Sequence, residues 1–345
     1  MKKLLISIVM LPFALQTFAQ NEYRVGDNLT VRQIGYAPFP SVVGKGLVWD
    51  FSDREVAAKE LLLQYLANRD TTVSASIASF DQRTKCLYAS QGDSLLIKGF
   101  QNKQVFVRYD EAELDLRLPL CLGDEEAGCF SARGSDVLGN AVQILGNYKY
   151  EVIGEGTLIT TEGDTLTHAL LVHNDRMVAS SFESLEARSM CGLPVMSHAK
   201  IDSIMAMDTT KVRDDIYRWY VPGYRYPILR QESISTSDGK KVLYTSCLYC
   251  SVSSQSYLAS DIDNERVRRE LQEKEERRGL RLLRERDAES PLLDDAYSLS
   301  WDAHPSYLSL AYELALDADV AYGIYTQEGM VLRYKELGRQ KVFVM

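Results

Sequence analysis

Histidine is scarce in this 345-residue chain, with four in all, and the motifs that usually organise catalysis are missing. There is no G-x-S-x-G elbow, no H-E-x-x-H pair, no phosphate-binding P-loop and no signature around a reactive cysteine. Long hydrophobic runs are equally few. Past Leu15 no apolar stretch approaches the roughly 20 residues that a membrane-crossing helix needs, so the chain is not expected to be an integral membrane protein. Basic residues are outnumbered, 39 Lys and Arg against 48 Asp and Glu. An acidic surface of that kind excludes nonspecific nucleic-acid binding, which depends on neutralising phosphates. No pattern implies a cofactor or a resident metal.

What is present begins with MKKLLISIVMLPFALQTFAQ. Lys2 and Lys3 precede an apolar run, Leu4 to Leu15, that is too short to span a bilayer, and Thr17-Phe18-Ala19 supplies small residues at positions −3 and −1. Residues 1–19 thus read as a secretory signal peptide. Its removal takes away two lysines and leaves 37 basic against 48 acidic residues, a net charge of −11. The expected location is the periplasm, the outer-membrane surface or the medium.

Residues 20–258 are dominated by short alternating runs: GKGLVWDFS, QVFVRYD, NYKYEVIGEGTLIT, TLTHALLVH and KKVLYTSCLY. Gly92, Gly163 and Gly239 mark turns between them. This pattern predicts an all-β domain, an antiparallel β-sandwich. Residues 54–68, REVAAKELLLQYLAN, fit a helix and a buried strand equally well. A charged helical linker is expected over 259–290, with Glu265 and Arg269, and Glu273 and Arg277, spaced as helix-surface ion pairs. Residues 291–345 return to strand pattern and predict a small β-sandwich module.

Candidate sites are few. In the hairpin GEGTLITTEGDTLTHALLVH (154–173), His168 and His173 fall on opposite faces of a regular strand, which disfavours a shared metal. Cys247 and Cys250, three apart on a strand, also face opposite ways. Cys121 and Cys129 flank an acidic loop, and in an exported chain they are a possible disulfide. Asp124, Glu125 and Glu126 in that loop lack the ligand pattern of a calcium site. The segment YRWYVPGYRYP groups Tyr217, Trp219, Tyr220, Tyr224 and Tyr226, which either pack a core or contact a ligand.

WDFS (49–52), GDSLLIKGF (92–100), LRLPLCLGDEEAGCF (116–130), the 154–173 hairpin and WYVPGYRYP occur in an order that resembles the uncharacterised exported β-proteins of Bacteroides and related Bacteroidota. SYLSLAYEL and DADVAYGIYTQEGMVL resemble the first half of the C-terminal module that directs type IX secretion. The resemblance implies an envelope or cell-surface protein. The function expected is a non-enzymatic binding or structural module whose partner is a protein or a glycan. The alternatives are a glycan hydrolase using two carboxylates and a secretion cargo retained in the periplasm.

Overall fold

The computed structural model describes residues 21–38, 40, 42–81, 83–183, 195–288, 292–303, 306–314, 317–325 and 331–341. The expected signal peptide, Cys191 and His304 lie outside the described residues. Two compact units divide the chain, 1–269 and 270–345.

The first unit is a closed antiparallel barrel and not the expected sandwich. Its strands are β1 (Asn28–Ile34), β2 (Gly44–Asp50), β3 (Val56–Ala67), β4 (Ile77–Phe80), β5 (Lys85–Gln91), β6 (Ser94–Gln101) and β7 (Val105–Arg117). They continue with β8 (Glu125–Asp136), β9 (Ala141–Ile159), β10 (Thr165–Glu183), β11 (Val212–Tyr220), β12 (Leu229–Thr236) and β13 (Val242–Cys250). From β3 to β13 each consecutive pair is antiparallel. The ring closes where β1 inserts between β3 and β13, with Leu29 opposite Leu63 and Val31 opposite Cys250. Every strand except β2 therefore has at least two hydrogen-bonded neighbours, and the free sheet edges that a sandwich would leave are gone. The stretch 54–68 resolves as strand. Leu61, Leu63 and Tyr65 turn inward and alternate with outward Glu60, Leu62 and Gln64.

Barrels of eight strands are just filled by side chains, and a ring of twelve leaves more interior. One end is plugged. The segment that starts at Asn21 sends the Tyr23 ring to 5.0 Å from Tyr65 and 5.6 Å from Tyr226. Leu29, Leu116, Tyr150 and Val172 complete this core. Val107, Ala132 and Val142 form a second apolar patch on the inner face, and buried ion pairs occupy other parts of the interior. Arg176 on β10 bonds Asp214 on β11 (2.7 Å) and Glu113 on β7 (2.9 Å). Arg218 on β11 bonds Asp115 on β7 (2.9 Å) and Asn174 on β10 (2.9 Å).

Outside, residues 34–38 and 42–51 belong to a strap over β10–β13. Its Ile34, Ala37, Trp49 and Phe51 pack on Leu171, Trp219, Leu229 and Tyr249. Within the strap β2 runs parallel along the end of β9. A Cβ on Gly156 would lie 2.0 Å from the Leu47 carbonyl oxygen, so this mid-strand glycine permits the close approach of β2. Helix α1 (His198–Met207) covers another part of the wall, with Ile201 and Met205 against Leu145 and Ala179. Elsewhere the wall carries ion pairs, across strands between Arg133 and Asp110 and between Arg213 and Asp175, and along β9 between Lys149 and Glu151. A lipid-facing barrel wall would be apolar in this band. No helix among the described residues is long and apolar enough to cross a membrane.

After β13 come α2 (Val252–Ser256) and α3 (Ile262–Ala288). Arg225 anchors the start of α3 by bonding Asp261 at 2.5 Å, and Arg268 stacks over Tyr224 at 5.4 Å. In the second unit β14 (Leu292–Ala303) pairs with β15 (Ser306–Leu314), and β16 (Ala318–Tyr325) with β17 (Val331–Gln340). Both pairs are antiparallel.

Candidate functional site

An open groove of about 470 Å³ runs along the outer wall where β1, β3 and β13 meet the tip of the β9–β10 hairpin. Its floor consists of outward side chains of adjacent strands: Thr30 and Arg32 on β1, Glu60 on β3 and Tyr249 on β13. Strand alternation brings these four to one face. Arg32 opposes both Tyr249 and Glu60 in register. Its Nε donates to Glu60 Oε1 at 3.2 Å, and a second guanidinium nitrogen pairs with the same oxygen. The hydrogen bond to Glu60, its charge and the more distant Glu162 together raise the Arg32 pKa.

Glu162 comes from the hairpin tip. Gly163 has φ of 89°, a left-handed conformation that allows the tight turn, and Thr160 N–H donates to the Asp164 carbonyl across it. So placed, Glu162 Oε2 accepts the Tyr249 hydroxyl at 3.0 Å. Burial pushes the Tyr249 phenol pKa upward, and the carboxylate of Glu162 acts in the same direction. The tyrosine is a fixed donor.

The far rim follows β13. Ser251 caps α2, its hydroxyl accepting from Ser254 N–H at 3.2 Å, and Ser254 Oγ in turn accepts from Thr30 N–H at 3.1 Å. Helix α2 ends at Tyr257, which is 87% exposed at the mouth of the groove. The groove thus combines an exposed aromatic ring, serine and threonine hydroxyls, one guanidinium and two carboxylates. That set suits hydrogen bonding to a polyhydroxylated ligand with an apolar face against the ring.

The aromatics singled out in the sequence are not on a surface. Tyr217, Trp219, Tyr220, Tyr224 and Tyr226 are all buried. Tyr217 stacks on His173 with centroids 4.2 Å apart, and Trp219 meets Phe51 edge-on at 5.3 Å under the strap. Tyr220 turns into the barrel, and Tyr224 lies beneath Arg268. Tyr226 stacks on Tyr65 at 4.4 Å and donates to Asp27 at 3.0 Å.

The expected Cys121–Cys129 disulfide is absent: both thiols are free. The flanks of the acidic loop do not pair as one hairpin. The second half of β7 pairs with β6, Leu116 opposite Leu95, while Cys129 on β8 lies opposite Asn147 on β9. Cys121 instead sits in a turn closed by Asp124, whose carboxylate accepts Cys121 N–H at 3.1 Å. Cys247 and Cys250 are buried in separate clusters, one under the strap and one inside the barrel. No cluster of metal-ligating side chains occurs among the described residues.

His168 and His173 are also separated, through irregular backbone. The β9–β10 register shifts between Leu166 and Ala169, and His168 takes φ of 58° in that shift. His173 faces outward, Nε2 at 3.0 Å from Asp215. The sequence pointed to none of Tyr257, Glu162 or Arg32. Only Glu162 had a usable signal, an acid at the apex of a clear hairpin. Comparison with family models, with curated proteins and with solved structures finds no match.

Proposed function

We propose that this is an exported binding barrel of the cell envelope that engages glycan chains in the outer groove. The supporting observation is Tyr257, an aromatic ring left exposed at the rim of a cleft whose other walls are hydrogen-bonding groups. A sugar ring presents axial C–H groups on one face and hydroxyls at its edge. The first suit the face of an aromatic ring, and the second suit carboxylate acceptors and a guanidinium donor. Groups held by mutual hydrogen bonds, as Glu162 is by Tyr249 and Glu60 by Arg32, are ordered before a ligand arrives, which lowers the entropy cost of binding. Export follows from the reading of residues 1–19 as a signal peptide. The outer wall, laddered with ion pairs, fits an aqueous compartment.

A hydrolase reading has one observation in its favour, two carboxylates in one groove. Both are engaged, however, and Arg32 is hydrogen-bonded to one of them. The test is a panel of envelope and host polysaccharides, scored for both retention of the protein and release of reducing ends. Saturable retention without release supports the binding barrel. Release that stops in Glu162→Gln would establish the hydrolase instead, and neither retention nor release would reject both.

A further inference from the structure

A second cleft, of about 360 Å³, lies on a different sector of the wall, between the outward faces of β6–β8 and the loop that carries Thr72 and Ser74. Lys98, Arg108 and Arg133 line it, with Asp110 the sole acid in the lining. In a chain of net charge −9, three cations against one acid is a local reversal of sign.

The cations are not equally committed. Arg133 is held by both oxygens of Asp110. Lys98 forms no ion pair with a described residue. Arg108 stacks over Phe106 at 5.0 Å and approaches the Asp70 carboxylate only to 3.9 Å, and its buried Nε has no hydrogen-bond partner. Asp70 is otherwise engaged. It accepts the backbone N–H of Thr72 at 2.9 Å and the Thr72 hydroxyl, and these bonds lower its pKa ahead of any effect of Arg108. Neither Lys98 nor Arg108 has a carboxylate within hydrogen-bond distance among the described residues, and an anion in the cleft would supply the acceptor that Arg108 Nε lacks.

We infer that this cleft is a binding site for a tetrahedral oxyanion, a sulfate or phosphate group, with Lys98 and Arg108 as its principal donors. A compact anion fits better than a carboxylate because its oxygens diverge to reach an ammonium and a guanidinium together, with the Ser74 hydroxyl available at the loop side. The site is independent of the glycan groove.

The test is calorimetric titration of the full exported chain with sodium phosphate, sodium sulfate, a sulfated monosaccharide and a phosphorylated one, at ionic strength fixed with sodium chloride. Acetate serves as the comparison anion. Saturable binding of at least one tetrahedral anion is expected, and the four probes separate sulfate from phosphate and free ion from ester. Lys98→Gln and Arg108→Gln are each expected to weaken binding about tenfold, the worth of one charge-assisted hydrogen bond. Asp110→Asn, which releases Arg133, is expected to strengthen it, and Tyr244→Ala, outside both clefts, to leave it unchanged. Should Arg108→Gln fold poorly, Lys98→Gln and Asp110→Asn still decide the matter through their opposite signs. Absence of saturable binding, equal binding of acetate, or affinity indifferent to Lys98 and Asp110 would each overturn the assignment.

Discussion

Arg218 on β11 and Asp115 on β7 meet inside the barrel, Nη1 to Oδ1 at 2.9 Å, although three strands separate their own in the ring. The pair ties two distant parts of the wall together across the interior, and Tyr23 of the plug donates to the other oxygen of Asp115 at 2.9 Å. Both side chains are largely buried. Removing one member leaves the other as an unpaired charge away from water. Arg218→Met is therefore expected to destabilise the barrel by about 3–5 kcal/mol in urea unfolding. Adding Asp115→Asn should restore a substantial part of that loss. Additive losses would show that the two do not act as a pair.

The second interior cluster has an excess acid. Glu113 and Asp214 share Arg176, and burial raises the pKa of each, with Arg176 opposing. A carboxyl whose pKa is higher in the folded state binds its proton more tightly when folded. Stability from these groups is thus full below the ordinary carboxylate pKa of about 4 and declines as pH rises through the elevated folded values. Asp214→Asn removes one acid and leaves Arg176 its partner Glu113. Urea midpoints measured from pH 4.5 to 8 should fall less steeply with pH in this variant than in the parent chain. A steeper fall would contradict the assignment.

Cys121 and Cys129 are free thiols in different surroundings. Burial raises the pKa of both, that of Cys121 further through Asp124. Reductant should leave the urea midpoint of the first unit unchanged, and Cys121→Ser should shift it by no more than about 0.5 kcal/mol. A large loss on reduction would reinstate a disulfide.

Strands and turns were legible because both have local signatures. The β9–β10 hairpin follows from alternation around an apex at Gly163, and α3 from the acid–base spacing of Glu265 and Arg269. Closure was not, because period-two alternation is the same in a sandwich and a barrel, and the deciding contact, Val31 with Cys250, joins opposite ends of the domain. One local clue pointed the right way. Arg176 stands in phase with inward Val172 and Val178, and Arg218 with inward Tyr220, and a dry sandwich core does not accommodate such charges. Of the two readings of YRWYVPGYRYP, packing holds, and the strap is what the sequence did not show: Trp219 lies on the outside of the ring yet is sealed by Trp49 and Phe51. Likewise Gly154 and Gly156 serve close packing against β2 and not a turn. The groove was hidden because its residues come from β1, β3, β13, a hairpin tip and the end of α2, which no spacing connects.

The most direct test of the glycan-binding account compares two exposed tyrosines by titration against whichever polysaccharide the panel retains. Tyr257 stands at the groove, and Tyr244, half exposed on β13, lies outside it. Loss of a stacked ring is worth about 1–1.5 kcal/mol, roughly tenfold in affinity. Tyr257→Ala should weaken binding by that factor while Tyr244→Ala leaves it unchanged. Equal affinity in both variants and the parent chain would contradict the central claim.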